Sequence, residues 1–421
     1  MRRERVLSTL VVALVLSALT MGAAAAATWG NAGLLNDSSE TSCKDPQIFP
    51  ASGGGFHSMY KYAPSGAPWQ IKYRRYNQGL GSRYNVPNSA WPGGLSSLVQ
   101  GLDGSIWAAW ENWAENNEQI HAARSTNGGV NWTTYAVTAY SYPSGRGGEA
   151  KTPQLCPQGT GSSPNIVVAH WQAYEKDLKY NIWNGSSMSG VNSMSVITDN
   201  SYAVEGICRS PYDGSVYRPY GRKINGVWQI CYKRWDGSSW GPEVVVSTNT
   251  GSDFVARPSI AVNALNQVMV VWDQVSNVCW RFYDPSQGWS SQGSLGDGYR
   301  ATVTAIPGTA SFYVVYCPAN RTQNYVYGRR FIYGQWDEEE LVSKGISFGY
   351  TTTPRVCAES TGQLWTVWES WPSDSPQMYY AGCSDFTTQD TTGPVFNGPV
   401  YDDGGYPGHS HVPARYLECG E

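Results

Sequence analysis

One phrase recurs seven times along this chain and limits what it can fold into. Its best-formed copy is Gly104-Ser-Ile-Trp-Ala-Ala-Trp110, and its relatives end at Tyr60, Trp171, Tyr220, Trp272, Tyr316 and Trp368. Each copy is a short apolar run closed by Trp or Tyr. Each is followed about ten residues later by a second run of strand character, such as QIHAARS, QICYKRW or NVCWRFY. The phrase returns roughly every 45 to 60 residues, the period of propeller blades. Runs this short are strands rather than helices, and a single unit cannot bury both of its faces alone. The fold class expected is therefore all-β: a seven-bladed propeller of four-stranded blades, with eight blades as the alternative count.

Composition agrees. The 421 residues include 19 Trp, 28 Tyr and 46 Gly, the mixture of aromatic strands and glycine turns that such sheets require. Charged residues make up only 15% and the net charge is −4, with no basic patch of the kind that grips nucleic acid. Residues 1–27 read as a secretion signal. Arg2, Arg3 and Arg5 precede an apolar core from Val6 to Met21, and an alanine-rich end follows at Ala23 to Ala27. That core is short for a membrane span. The mature chain is thus expected to be extracellular or at the cell surface, without a span and monomeric. Residues 28–389 are assigned to the propeller and 390–421 to a C-terminal extension or ring-closing segment.

Punctuation divides each unit into four strands. The opening strand often carries proline, as in Asp45-Pro46, Thr152-Pro153, Arg257-Pro258 and Thr353-Pro354, and is placed innermost. The repeated phrase is the second strand and the run after it the third. Turns at Asn127-Gly128, Asn184-Gly185 and Asp236-Gly237 lead to a fourth strand that often starts at Trp. Trp29-Gly-Asn-Ala-Gly-Leu-Leu35 resembles a fourth strand, so the N-terminal segment is expected to complete the last blade and close the circle. An unclosed propeller would leave an edge there that invites aggregation.

Nine cysteines are present. Cys231 and Cys279 match between neighbouring units, as do Cys156 and Cys208, and are read as packing residues, because equivalent sites on adjacent blades lie beyond disulfide reach. A bridge between Cys43 and Cys419 is the one pairing considered. His57 aligns with Trp107, Tyr217 and Trp365, His170 with Val271 and Val367, and His121 with Cys231 and Cys279, so all three are read as packing residues. His409 and His411 lack a third ligand nearby. No metal site or cofactor is expected.

Ser125-Thr-Asn127-Gly-Gly129-Val-Asn-Trp132 is similar to the Asp-box pattern Ser-x-Asp-x-Gly-x-x-Trp, with Asn127 in the Asp place. On this motif and the repeat rhythm the chain resembles the sialidase-like (BNR-repeat) propeller superfamily. The resemblance implies that the box is a hairpin turn between third and fourth strands, on the face away from the binding site. Its Trp would pack between sheets. Sialidases of that superfamily carry an Arg-Ile-Pro, three carboxylate-binding arginines, a Tyr–Glu nucleophile pair and an Asp acid. Here the opening strand reads Asp45-Pro-Gln-Ile instead. Lectins and polysaccharide lyases also occur among such relatives, so the fold does not choose the activity.

The topology directs attention to one face, where fourth-to-first and second-to-third connections meet. Residues opening the inner strands form a ring there: Asp45, Thr152, Glu205, Arg257, Arg300 and Thr353, with Lys151 and Tyr299 beside it. Arginines next to a carboxylate suit an acidic or polyhydroxyl sugar. Trp-Glu-x-Trp occurs twice, Trp110-Glu111-Asn-Trp113 and Trp368-Glu369-Ser-Trp371, and an exposed indole beside a carboxylate suits a sugar as well. The candidate ligand-binding set is Glu111, Trp113, Lys151, Glu205, Arg257, Arg300, Glu369 and Trp371. For catalysis it is Glu205, Arg257, Arg300 and Tyr299. Recognition of extracellular glycans at the funnel mouth is the first expectation, with carbohydrate as partner. A glycoside hydrolase or uronate lyase at the same mouth and a structural or protein-binding propeller are the alternatives.

Overall fold

A computed structural model of the protein describes residues 28–383, apart from positions 41, 66, 88–91, 113–117, 141–149, 174, 198–205, 252, 320–324, 333, 346–349, 373 and 374. Seven antiparallel sheets follow one another around a ring, and no helix is present among the described residues. The innermost strands are Cys43–Pro50, Pro92–Gln100, Ala150–Pro157, Cys208–Arg209, Val255–Val262, Tyr299–Ala305 and Tyr350–Ala358, which define blades 1 to 7. Each runs antiparallel to a second strand made of the repeated phrase, such as Ile106–Asn112 in blade 2 and Leu364–Trp371 in blade 7. In blades 5 and 6 the outermost strand is split in two. The upper face carries the connections from second to third and from fourth to first strands. The lower face carries the turns from first to second and from third to fourth.

The closing aromatic of each phrase packs toward the preceding blade. Trp110 sits with Met59, Ile71 and Tyr73 of blade 1, Trp272 with Ile230 of blade 4, and Trp368 with Tyr313 and Val315 of blade 6. Where the aromatic is Tyr, a buried hydroxyl needs an acceptor. Tyr60 donates to Glu40 at 2.8 Å, Tyr220 to Glu243 at 2.6 Å, and Tyr316 to Glu339.

The ring closes as its first strand suggests. Gly33 and Leu34 pair with Tyr380 and Tyr379 of the last blade, and Trp29 bridges Cys383. Asn36 reinforces the seam: its amide nitrogen donates to Gln377 at 2.7 Å, and its amide oxygen accepts from the Met378 N–H at 2.8 Å. From blade 1, Arg83 pairs with Asp37 at 2.8 Å and also with Glu40. Trp29 is fully buried among Ile306, Tyr313 and Trp368, with its Nε1 donating to the Tyr313 hydroxyl at 2.9 Å.

The Ser125–Trp132 turn has the geometry its pattern implies. Ser125 Oγ accepts from the Gly129 N–H at 2.9 Å, Asn127 Oδ1 from the Asn131 N–H at 2.9 Å, and Trp132 donates to the Gly129 carbonyl at 2.8 Å. Gly129 lies so close to Tyr73 that a Cβ there would stand 1.9 Å from the ring. Trp132 meets the same Tyr73 edge-on at 5.4 Å. Cys43, Cys156, Cys208, Cys231, Cys279, Cys317 and Cys357 are free thiols. Cys419 lies outside the described residues, as do the 390–421 segment, His409 and His411.

One alignment is corrected. Ile166 opens the second strand of blade 3, so His170, not Trp171, occupies the closing-aromatic position: it pairs with Lys179 as Trp110 pairs with His121. The phrase NIVVAHW carries one extra residue at its end, which shifts Trp171 into the place held elsewhere by Lys61, Glu111, Asp273 and Glu369. His170 is fully buried, and burial first, then Arg218 nearby, lowers its pKa to about 3.

Two stability predictions follow from this packing. Trp29→Ala should cost about 3–5 kcal/mol in urea unfolding, the range for a large buried aromatic. Because His170 is held neutral, the unfolded chain binds the extra proton between its ordinary pKa and about 3. Stability contributed at neutral pH is therefore lost as pH falls through that window. His170→Phe should flatten this part of the pH profile, by about 2–3 kcal/mol at about pH 4.5. Urea midpoints of both proteins at about pH 4.5 and about pH 7 would read it; parallel profiles would refute the assignment.

Candidate functional site

The upper rim is built from a repeated backbone irregularity. In blades 1, 3, 5, 6 and 7 the inner strand contains a bulge. In each case a non-glycine residue adopts positive φ: Asp45 at 53°, Thr152 at 52°, Arg257 at 49°, Arg300 at 56° and Thr353 at 52°. These are five of the six ring residues expected from sequence. The sixth, Glu205, lies outside the described residues. Such conformations are costly and persist only where neighbours hold them.

At three of the five the holding group is the carboxylate that follows a closing aromatic. Glu369 accepts from the Asp45 N–H at 3.3 Å, Glu111 from the Thr152 N–H at 2.7 Å, and Asp273 from the Arg300 N–H at 3.0 Å. In each pair the acceptor belongs to the blade before the donor, so the carboxylate latches two blades together. Blade 1 uses a cation in the same place: Lys61 donates to the Gly94 carbonyl of blade 2 at 2.6 Å and pairs with Asp45. The carboxylates are 4–5% exposed, and burial raises the pKa of Glu111 and Glu369. Gly94 is required beside Glu111, since a Cβ would stand 1.8 Å from its Oε2.

The other expected residues fall into two groups around the mouth. Arg257 pairs through Nη1 with Asp273 at 3.1 Å, so Asp273 joins the Arg257 side chain to the Arg300 backbone. Tyr299 donates to the Thr351 carbonyl at 3.2 Å, and burial raises its pKa. Lys151 pairs with Glu118 at 3.1 Å. In blade 7, Trp371 donates from Nε1 to Glu369 Oε1 at 2.7 Å. Trp113 lies outside the described residues.

At the seam between blades 7 and 1 the structure adds two residues that the repeat analysis passed over. The Lys44 ammonium lies 5.1 Å from the Trp371 ring centroid and 5.6 Å from that of Trp69. Trp69, Trp371 and Lys44 are all partly exposed. Trp69 precedes its third strand, as Trp113 and Trp371 do theirs; that shared placement was the available signal. Lys44 carries no motif, and only ring closure puts it between two indoles. A cavity of about 870 Å3 runs down the axis, with Arg257 and Gly206 at its upper end. Among the described residues no cluster of His, Cys, Asp and Glu is arranged to hold a metal ion.

No family profile matches the chain, and no curated protein does. Solved structures do. A protein of unknown function from Dyadobacter fermentans matches 85% of this chain and 98% of its own, at TM-score 0.54 and 11% identity. The polysaccharide lyase Uly1 matches 78% and 88%, at TM-score 0.51 and 10% identity. A K499G mutant of the NanB sialidase from Streptococcus pneumoniae matches 84% and 71%, at TM-score 0.47 and 9% identity. At these identities the shared feature is the fold.

Glu111→Ala should leave the half-buried Thr152 N–H without its acceptor and cost about 1–3 kcal/mol of unfolding free energy. Glu369→Ala should do the same at the blade 7–1 seam. The two losses should add, because they latch different blade pairs. Denaturant titration of the single and double variants tests this, and an unchanged Glu111→Ala protein would rule the latch out.

Proposed function

We propose that the mature chain is an exported glycan-recognition propeller that binds carbohydrate on its upper face. The observation that carries this reading is the Trp69–Lys44–Trp371 cluster. Indole faces stack on the apolar C–H face of a pyranose, while an ammonium donates to hydroxyls. Lys44 between the two rings pre-organises them, and Glu369 fixes Trp371 from behind, which lowers the ordering cost of binding. Arg257 and Arg300, in blades 5 and 6 of the same mouth, supply guanidiniums suited to an acidic or polyhydroxyl sugar. Two further points support the reading: the leader-like residues 1–27, and a fold shared with a polysaccharide lyase. The buried Glu369 acts in this reading through the Trp371 indole it positions, and Glu111 through the bulge it holds.

The test is a glycan array with the mature protein, followed by calorimetry on the best ligand. Trp69→Ala and Trp371→Ala should each weaken binding about tenfold, or ~1.4 kcal/mol. An array with no bound glycan would remove the proposal. Release of shortened product from a bound polysaccharide would move it to catalysis.

A further inference from the structure

We infer a second binding site, for an acidic saccharide, at the lower end of the axial cavity. It lies on the face opposite the funnel mouth. The axial cavity extends down to the first-to-second turns, where Gly53, Gly101, Pro211, Asn263 and Gly308 contribute to its wall. Its sides are largely apolar, with Ile48, Leu98, Leu155, Ile260, Val303 and Val356 among them. Its charged residues are three arginines, Arg209, Arg257 and Arg355, and among the described residues no Asp or Glu lines it. The whole chain is acidic, with a net charge of −4, so this is a local reversal of sign. A cleft of one charge with low-dielectric walls concentrates its field on ions of the opposite charge.

The arginines stand at different heights. Arg257 belongs to the upper bulge, and Arg355 lies two residues below the corresponding bulge residue Thr353. Arg209 ends its inner strand, at the level occupied by Pro50, Pro157, Val262, Ala305 and Ala358 in other blades. It is therefore the guanidinium nearest the lower opening. Its Nε donates to the Gly159 carbonyl at 2.8 Å, which orients the group without neutralising it.

The turn that follows Arg209 is fixed and presents an aromatic ring. Gly214 donates to the Ser210 carbonyl at 3.0 Å, and Gly159 donates to the Gly214 carbonyl at 3.1 Å, tying the blade 3 and blade 4 turns together. A Cβ on Gly214 would stand 2.4 Å from the Gly159 oxygen, so this approach needs glycine. On this support Tyr212 is 62% exposed, and Leu265 on the adjacent blade 5 turn is 56% exposed. An exposed tyrosine on the hydrogen-bonded turn next to the cavity-lining Pro211, three positions from Arg209, fits a sugar ring bearing a carboxylate or sulfate. The ring would stack on Tyr212 and its anion would take the Arg209 fork, with the chain continuing toward Arg355. The choice of saccharide over other anions rests on the glycan reading above; the site itself does not.

The experiment titrates the mature protein by calorimetry with four probes: a glucuronate tetramer, a sulfated galactose tetramer, a neutral glucose tetramer and a glutamate octapeptide. Binding of either acidic tetramer, weakened at least tenfold in Arg209→Gln and several-fold in Tyr212→Ala, is the expected result. The uronate and sulfate arms decide which anion is preferred. Arg209→Lys should retain part of the affinity, and matching thermal melts establish that the variants fold. Trp69→Ala and Trp371→Ala should leave this binding unchanged, which separates it from the upper face. In a Trp69→Ala/Trp371→Ala protein, where the upper face is disabled, no binding of either acidic tetramer, equal binding of the neutral tetramer or of the peptide, or acidic binding untouched by Arg209→Gln and Tyr212→Ala would each overturn the inference.

Discussion

A propeller blade is apolar on both faces, so it is stable only with a neighbour on each side, and seven blades satisfy this only when the ring closes. Every other feature depends on that closure. The N-terminal segment supplies the last outer strand, so the joint needs both ends of the described chain in register. Trp29 fills the space between blades 6 and 7, and Asn36, Asp37 and Glu40 tie the segment to blades 7 and 1. The Trp69–Lys44–Trp371 cluster lies across the same seam, so it forms only in the closed ring.

Closure also explains the upper rim. Side chains at the mouth must leave the inner strand at a bulge, and the bulge places non-glycine residues in the left-handed region. At three of the five bulges the preceding blade supplies the acceptor for that strained backbone N–H, from Glu111, Asp273 or Glu369. The carboxylates that look most chemical in sequence are thus buried and occupied in holding the ring. What remains toward solvent is indole, ammonium and guanidinium. A surface of that composition suits binding of a polyhydroxyl ligand.

Much of the fold was legible because a propeller repeats. Seven aligned copies separate the residue that recurs for packing from the residue that varies. This exposed the second strands, the Asn127 turn and the stray outer strand at Trp29. The repeats fall out of step where a copy slips. In blade 3 the phrase ends one residue late, and matching by the terminal Trp171 displaced His170 from the core position it fills. The site was less legible because contacts between blades join residues that no spacing relates. Lys44 and Trp371 are neighbours across the seam, and Arg209 and Gly159 meet across two lower turns.

By itself the sequence determined the class of fold and the strand order within each unit, and narrowed the count of units to seven or eight, since hydrophobic period and turn residues are local properties of the chain. It also singled out Arg257, Arg300, Glu111, Glu369 and Trp371 as residues at the mouth. The tertiary structure decided what each of them does. Whether a carboxylate faces a ligand or a backbone N–H depends on the neighbouring blade's bulge. Whether an arginine lies at one end of the axis or the other depends on how many residues separate it from that bulge. Both are relations between strands distant in sequence, set by sheet register and ring closure.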